Sequence, residues 1–133
     1  MGRFYLNIFD AGDELGWHFD NSEFSVSLIL QPAEDGGSFE YAPASRQAVE
    51  QMEDFPPNES LREALGVQSP PLRAGDLYLF CGRNSLHRVS PVRSGQRINA
   101  ILTFNEDESA LMNEYTRRKF FGRSLGDQAQ SLP

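Results

Sequence analysis

Residues 87–104 read HRVSPVRSGQRINAILTF. Residues 86–92 have the composition of a β-strand, Ser94-Gly95 marks a tight turn, and residues 96–104 form a long second strand. Strand alternation puts Arg97 and Asn99 on one face and Ile98, Ala100, Leu102 and Phe104 on the other. An arginine set among apolar strand residues needs a partner, because a buried unpaired charge is very costly. One candidate is a surface acid, of which the chain has 19. The other is the carboxylate of a ligand, which the planar guanidinium fork can grip through two parallel hydrogen bonds.

His87 opens this stretch, and the chain has only two histidines. The other lies in GWHFDNSEF, residues 16–24. On a strand, His18 and Asp20 at i and i+2 point to the same side and can grip one metal ion together. An Asx turn with Asn21 and Ser22 is the competing reading of Asp20. Two histidines and one carboxylate leave three positions open on an octahedral iron, the pattern of non-haem Fe(II) oxygenases. If such a triad exists here, it is His18, Asp20 and His87. Such a triad with one inward arginine suits 2-oxoglutarate: the keto-acid end chelates iron and the far carboxylate docks on Arg97. Zinc hydrolysis is a remote reading, since no general base is evident and Arg97 goes unused.

The rest of the chain supplies strands. Residues 3–9 (RFYLNIF) are rich in β-formers and end at the turn Asp10-Ala11-Gly12-Asp13. Residues 24–31 (FSVSLILQ) alternate, with Phe24, Val26, Leu28 and Leu30 opposite Ser25 and Ser27, the pattern of a half-buried strand. Residues 32–37 read as a loop, 38–41 as a short strand and 77–81 as another. Residues 43–70 differ in texture: two short helices over 45–54 and 60–65, with prolines around them, read as an insertion. Asn105 with Glu108 resembles a capping box, and Leu111, Met112 and Tyr115 form an apolar stripe, so a helix is expected over about 106–121. The polar tail 123–133 is expected to be loose. Six or seven short strands with Gly and Pro turns predict a mainly β antiparallel sandwich or barrel, with a helical insertion and a C-terminal helix.

Composition bounds the function. With 133 residues, one domain (1–122 plus the tail) is expected. The formal charge of −7 argues against a nucleic-acid or anionic-membrane binder, and no apolar run approaches a membrane span. Cys81 is the only cysteine, so no internal disulfide forms, and no secretory signal is evident; a cytoplasmic location is the expectation. Because residues 4–9 already read as core strand, a further N-terminal region is expected in the natural protein. Nothing in the sequence sets the oligomeric state.

The pieces NIFDAGDELGWHFD, GGSFEY, PPLRAGDLYLF and HRVSPVRSGQRINAILTF, in this order, resemble the 2-oxoglutarate/Fe(II)-dependent dioxygenases of the double-stranded β-helix (jelly-roll, cupin-like) fold. The resemblance covers residues 7–104, most of the chain. It implies His18, Asp20 and His87 as iron ligands and Arg97 as the anchor of the C5 carboxylate of 2-oxoglutarate. It also implies that Asn99 and Asn7 line the co-substrate pocket. GWHFDNSEF looks like a smaller group of free-amino-acid hydroxylases and radical halogenases. The halogenases carry glycine or alanine in place of the triad carboxylate; this chain has Asp20, so hydroxylation is the implied outcome. Members usually carry an additional N-terminal helical region of about a hundred residues that covers the sheet.

The resulting expectation is an oxygenase using Fe(II), 2-oxoglutarate and O2 to hydroxylate a small polar molecule such as a free amino acid, releasing succinate and CO2. A protein prolyl or lysyl hydroxylase is the alternative enzyme. A non-catalytic metal-binding jelly roll, or an inactive fragment, is the alternative outside catalysis. Trp17 reads as core or pocket wall, Tyr78 and Phe80 as strand packing, and Cys81 as a small core residue. Asn21, Glu23 and Asn84 are either substrate contacts or solvated loop residues.

Overall fold

The computed structural model describes residues 3–105. Nine strands and two helices follow in the order β1 (Arg3–Phe9), β2 (Leu15–His18), β3 (Phe24–Gln31), β4 (Asp35–Gly36), β5 (Phe39–Ala42), α1 (Arg46–Glu50), α2 (Asn58–Leu65), β6 (Leu77–Phe80), β7 (Leu86–Val89), β8 (Val92–Ser94) and β9 (Arg97–Phe104). All pairings are antiparallel. A four-stranded sheet, β1-β9-β3-β6, and a three-stranded sheet, β2-β7-β5, enclose a common cavity, and β4 pairs with β8. Phe39 of one sheet meets Tyr78 of the other at 5.2 Å between ring centroids, and Tyr41 meets Phe80 at 5.6 Å. This is an antiparallel β-sandwich, as the strand pattern predicts, of the jelly-roll type that the resemblance implies. The expected helix over 106–121 and the tail lie outside the described residues.

The strand expected over 86–92 is two strands. Pro91 has no N–H to give a ladder, and the chain changes partners there: β7 pairs with β2 and β5, then β8 with β4. The Pro91 carbonyl instead accepts the Gly37 N–H at 3.0 Å. The loop expected over 32–37 contains β4, whose Gly36 has φ +73°, and an added Cβ there would lie 2.1 Å from the Pro91 oxygen. Gly95 has φ +73°, as the expected tight turn requires.

Alternation in the large sheet is as expected, but the buried side is the polar one. Ser25, Ser27, Arg97, Asn99 and Thr103 are buried, while Phe24, Leu30, Leu77, Leu79 and Leu102 are exposed, Leu79 by 68%. The expectation that residues 24–31 bury their apolar face is therefore corrected. The inner face is polar because it lines the cavity.

The small sheet is covered by the insertion. Ala42, Leu61 and Leu86 form a buried cluster joined by Trp17, Phe19, Val49, Met52, Leu65 and Val67. Burial of Leu61 alone contributes about 2 kcal/mol. Glu40, with 8% of its side chain exposed, sits between Arg88 (2.6 Å) and Arg62 of α2. Arg88 in turn lies 4.8 Å over the Trp17 ring. Trp17 is thus half-buried against this cluster beside the helices, and its indole N–H donates to Asn58 Oδ1 at 2.9 Å.

Candidate metal centre

His18 and His87 are register partners on adjacent strands β2 and β7, so both side chains leave the sheet on the same side as neighbours. Their ring centroids are 4.1 Å apart. Asp20 reaches them differently from the expected i, i+2 strand geometry. β2 ends at His18, and Asp20 lies beyond it, its N–H donating to the Gly82 carbonyl at 3.0 Å. That bond pins the Asp20 backbone to the β6–β7 turn. Asp20 Oδ1 then stands 3.6 Å from His18 Nε2 and 3.4 Å from His87 Nε2. One ligand atom from each of the three lies within 4.8 Å of the others. Bonds of about 2.1 Å to one ion would separate ligand atoms by roughly 3.0 to 3.4 Å, so the three donors fit a single cation after small adjustments.

The histidine tautomers agree. Nδ1 of His18 donates to the Gly16 carbonyl at 2.8 Å and Nδ1 of His87 to the Ser85 carbonyl at 3.0 Å. A carbonyl only accepts, so each Nδ1 carries a proton and each Nε2 is turned toward Asp20. Burial raises the Asp20 carboxyl pKa, but hydrogen bonds and charge interactions from protons on the two Nε2 atoms outweigh it and hold the group well below the usual carboxylate range; a cation bound there would take the place of those protons. A carboxylate and two imidazole lone pairs converging on one point are the donor set of a divalent cation.

The cavity runs from these three residues between the sheets. Its space is roughly 500 Å³, open mouth included, and Tyr5, Asn7, Ser27, Tyr78, Arg97 and Asn99 are among its lining residues. Arg97, only 3% exposed, has no carboxylate partner among the described residues. Its Nη1 donates to Asn99 Oδ1, and Tyr78 hydrogen-bonds it as well. The surface-acid reading of Arg97 is therefore not what the fold shows. Burial lowers the guanidinium pKa and Tyr78 opposes this; a guanidinium stays protonated at any physiological pH. Burial raises Tyr78, and burial with the nearby Asp20 charge pushes Tyr5 up to about 12, so both phenols are protonated at neutral pH.

The sequence profile of the Halogenase D family matches residues 4–120. The chain belongs to the Halogenase D family. Among curated proteins, a PKHD-type hydroxylase of Shewanella sp. strain ANA-3 is 30% identical over 128 residues, 96% of this chain and 51% of the relative. A PKHD-type hydroxylase of Shewanella oneidensis MR-1 is 29% identical over the same share of each chain. One from Pseudomonas putida F1 is 31% identical over 96 residues, 71% of this chain and 39% of the relative. The chain spans about half the length of the Shewanella relatives or less of the Pseudomonas one. These matches place this Halogenase D family member among the 2-oxoglutarate/Fe(II) oxygenases, the superfamily expected from the sequence.

Of the sequence-predicted residues, this member brings His18, Asp20 and His87 together and lines the same cavity with Arg97, Asn99 and Asn7. Asn99 is 2% exposed and holds Arg97; Asn7 faces Asn99 in register across β1 and β9. Tyr78 and Ser27 were missed. Tyr78, expected as strand packing, stands two residues before Phe80, so both lie on one face of β6, and that face lines the cavity. Cys81 is exposed rather than core, its thiol donating to the Glu23 carbonyl at 3.2 Å. Arg83 pairs with Glu23 at 3.9 Å and donates to the Asn21 carbonyl.

Proposed function

We propose that this chain carries the catalytic core of a 2-oxoglutarate- and Fe(II)-dependent hydroxylase acting on a small polar substrate of amino-acid size. The observation that carries the reading is the pairing, in one cavity, of the His18–Asp20–His87 cluster with a buried arginine that has no carboxylate partner among the described residues. Iron with 2-oxoglutarate, when bound, supplies the oxidising chemistry and releases succinate and CO2. His18 Nε2, His87 Nε2 and Asp20 Oδ1 would hold the iron. Arg97 binds the far carboxylate of the co-substrate, with Asn99 fixing the guanidinium and Tyr78 donating beside it. Asn7 and Ser27 complete the polar lining. Phe39 and Phe80 wall the metal end, the Phe80 ring standing edge-on to His87 at 4.8 Å, and keep water from the reacting carbon.

Hydroxylation rather than halogenation is favoured by Asp20. In the halogenases that this chain resembles, glycine or alanine stands at that position and a halide takes the vacated place on the metal. The family name therefore describes an activity that this chain's own ligand set argues against. Succinate release should be measured with Fe(II), 2-oxoglutarate and air, against free amino acids in one arm and proline- or lysine-containing peptides in the other, with products read by mass. A gain of one oxygen atom on a free amino acid supports the reading. Oxidation confined to peptides replaces it with protein hydroxylation, and a chlorinated product in the presence of chloride contradicts it.

A further inference from the structure

Gly82 lies in the turn between β6 and β7, buried beside the metal centre. Its backbone conformation does not demand glycine, since it is absent from the positive-φ residues that include Gly95. Space is what demands it. A Cβ built on Gly82 would lie 2.1 Å from Asp20 Oδ2, 2.6 Å from Asp20 Cγ and 2.8 Å from His87 Cε1. Asp20 cannot retreat as a whole, because its N–H is bonded to the carbonyl of the same Gly82 at 3.0 Å. The two oxygens of Asp20 therefore face different ways. Oδ1 stands with the two imidazole nitrogens, and Oδ2 rests against the bare α-carbon of Gly82.

We infer that Gly82 is a positioning residue: its missing side chain is the slot that holds the Asp20 carboxylate with only Oδ1 presented to the metal. The inference rests on the metal reading above and concerns how one ligand is set. A methyl group at 82 meets side chains rather than backbone: the Asp20 carboxylate most closely, and the edge of the His87 ring at 2.8 Å. The carboxylate rotates away at little cost to the fold, and Oδ1 leaves the donor set. The signature is thus a loss of metal affinity without a matching loss of stability.

A double-mutant cycle reads this directly. Co(II) binding is followed by its visible spectrum in the native chain, Gly82→Ala, Asp20→Gly and the double variant, with thermal midpoints alongside. Cu(II), which imidazoles bind more tightly, reports affinities too weak for Co(II). Gly82→Ala is expected to weaken binding at least tenfold in the native background, with a midpoint within a few degrees of native. In the Asp20→Gly background only the contact with His87 Cε1 at 2.8 Å remains, so the same change should cost at least threefold less affinity than in the native background. Native-like affinity in Gly82→Ala, or an equal loss in both backgrounds, overturns the inference while leaving the metal reading in place. Failure of the native chain to bind Co(II) overturns the metal reading and this inference with it. If Gly82→Ala does not fold, recovery of folding in the double variant supports the clash with Asp20, and continued failure contradicts it.

Discussion

Replacing Arg97 by methionine should separate the co-substrate role of this residue from any structural one, because opposing contributions nearly cancel in the ligand-free chain but not in ligand binding. The guanidinium is 3% exposed and has only neutral partners among the described residues, Asn99 and Tyr78. Removing a cation buried without a countercharge relieves a desolvation cost of several kcal/mol. Against that stand the lost hydrogen bonds of Asn99 and Tyr78, worth about 1 to 3 kcal/mol each. The net change in the ligand-free chain is expected within about 2 kcal/mol of zero. Binding of 2-oxoglutarate is a different matter. Two charge-assisted bonds to its far carboxylate account for about 3 to 4 kcal/mol, so affinity should fall roughly 100- to 1,000-fold. Thermal unfolding with Co(II) present reads both quantities. At a 2-oxoglutarate concentration about 100 times the native Kd, the native chain gains about 2.7 kcal/mol, a rise of roughly 8–12 °C for a chain of this size. The Arg97→Met chain should rise by no more than about 2 °C. An undiminished ligand-induced rise in the variant, or a ligand-free chain destabilised by more than about 4 kcal/mol, would refute the reasoning.

Three further outcomes follow from particular contacts. Glu40→Gln leaves Arg62 and Arg88 facing a neutral amide and should cost about 2 to 4 kcal/mol at pH 7. Burial raises the Glu40 pKa, but the two arginines hold it below the usual carboxylate range. Its contribution is therefore complete above the unfolded pKa of about 4.3 and is lost as pH falls through the lower folded value; denaturant titrations of both chains should converge at acid pH and diverge above it. Gly36→Ala puts a methyl 2.1 Å from the Pro91 carbonyl oxygen at φ +73°, and should destabilise by more than about 2 kcal/mol in chemical unfolding. Leu79→Thr, on the open outer face of the large sheet, should change stability by less than about 0.5 kcal/mol; a larger loss would show that this face is covered in solution.

The metal centre was legible because its signal is one of chemical type. Two histidines in the whole chain, one of them two residues from an aspartate, leave little to choose among. Arg97 was legible for a related reason, a charge among strand residues with no sequence-level excuse. The side of residues 24–31 that faces inward was not legible. Alternation identifies two faces of that strand but not which is buried, and hydrophobicity points to the wrong one there, whereas Arg97 marks the inward face of residues 97–104. The serines, Asn99 and Arg97 are inside because a cavity is there, and Leu77 and Leu79 are outside on the opposite face. Gly82 escaped notice because its function is an absence of atoms, visible only once Asp20 is placed against it. The break at Pro91 was readable from the missing N–H, yet the β-rich composition on both sides masked it.

The most direct test of the central claim is made without oxygen. Fe(II) and then 2-oxoglutarate are added to the purified chain, and the visible charge-transfer absorption of a keto acid chelated on iron is recorded for the native chain and for His87→Ala. A band in the native chain that is lost in a folded His87→Ala variant is the predicted result. A folded native chain that shows no band, or a band that survives the loss of His87, would contradict the account.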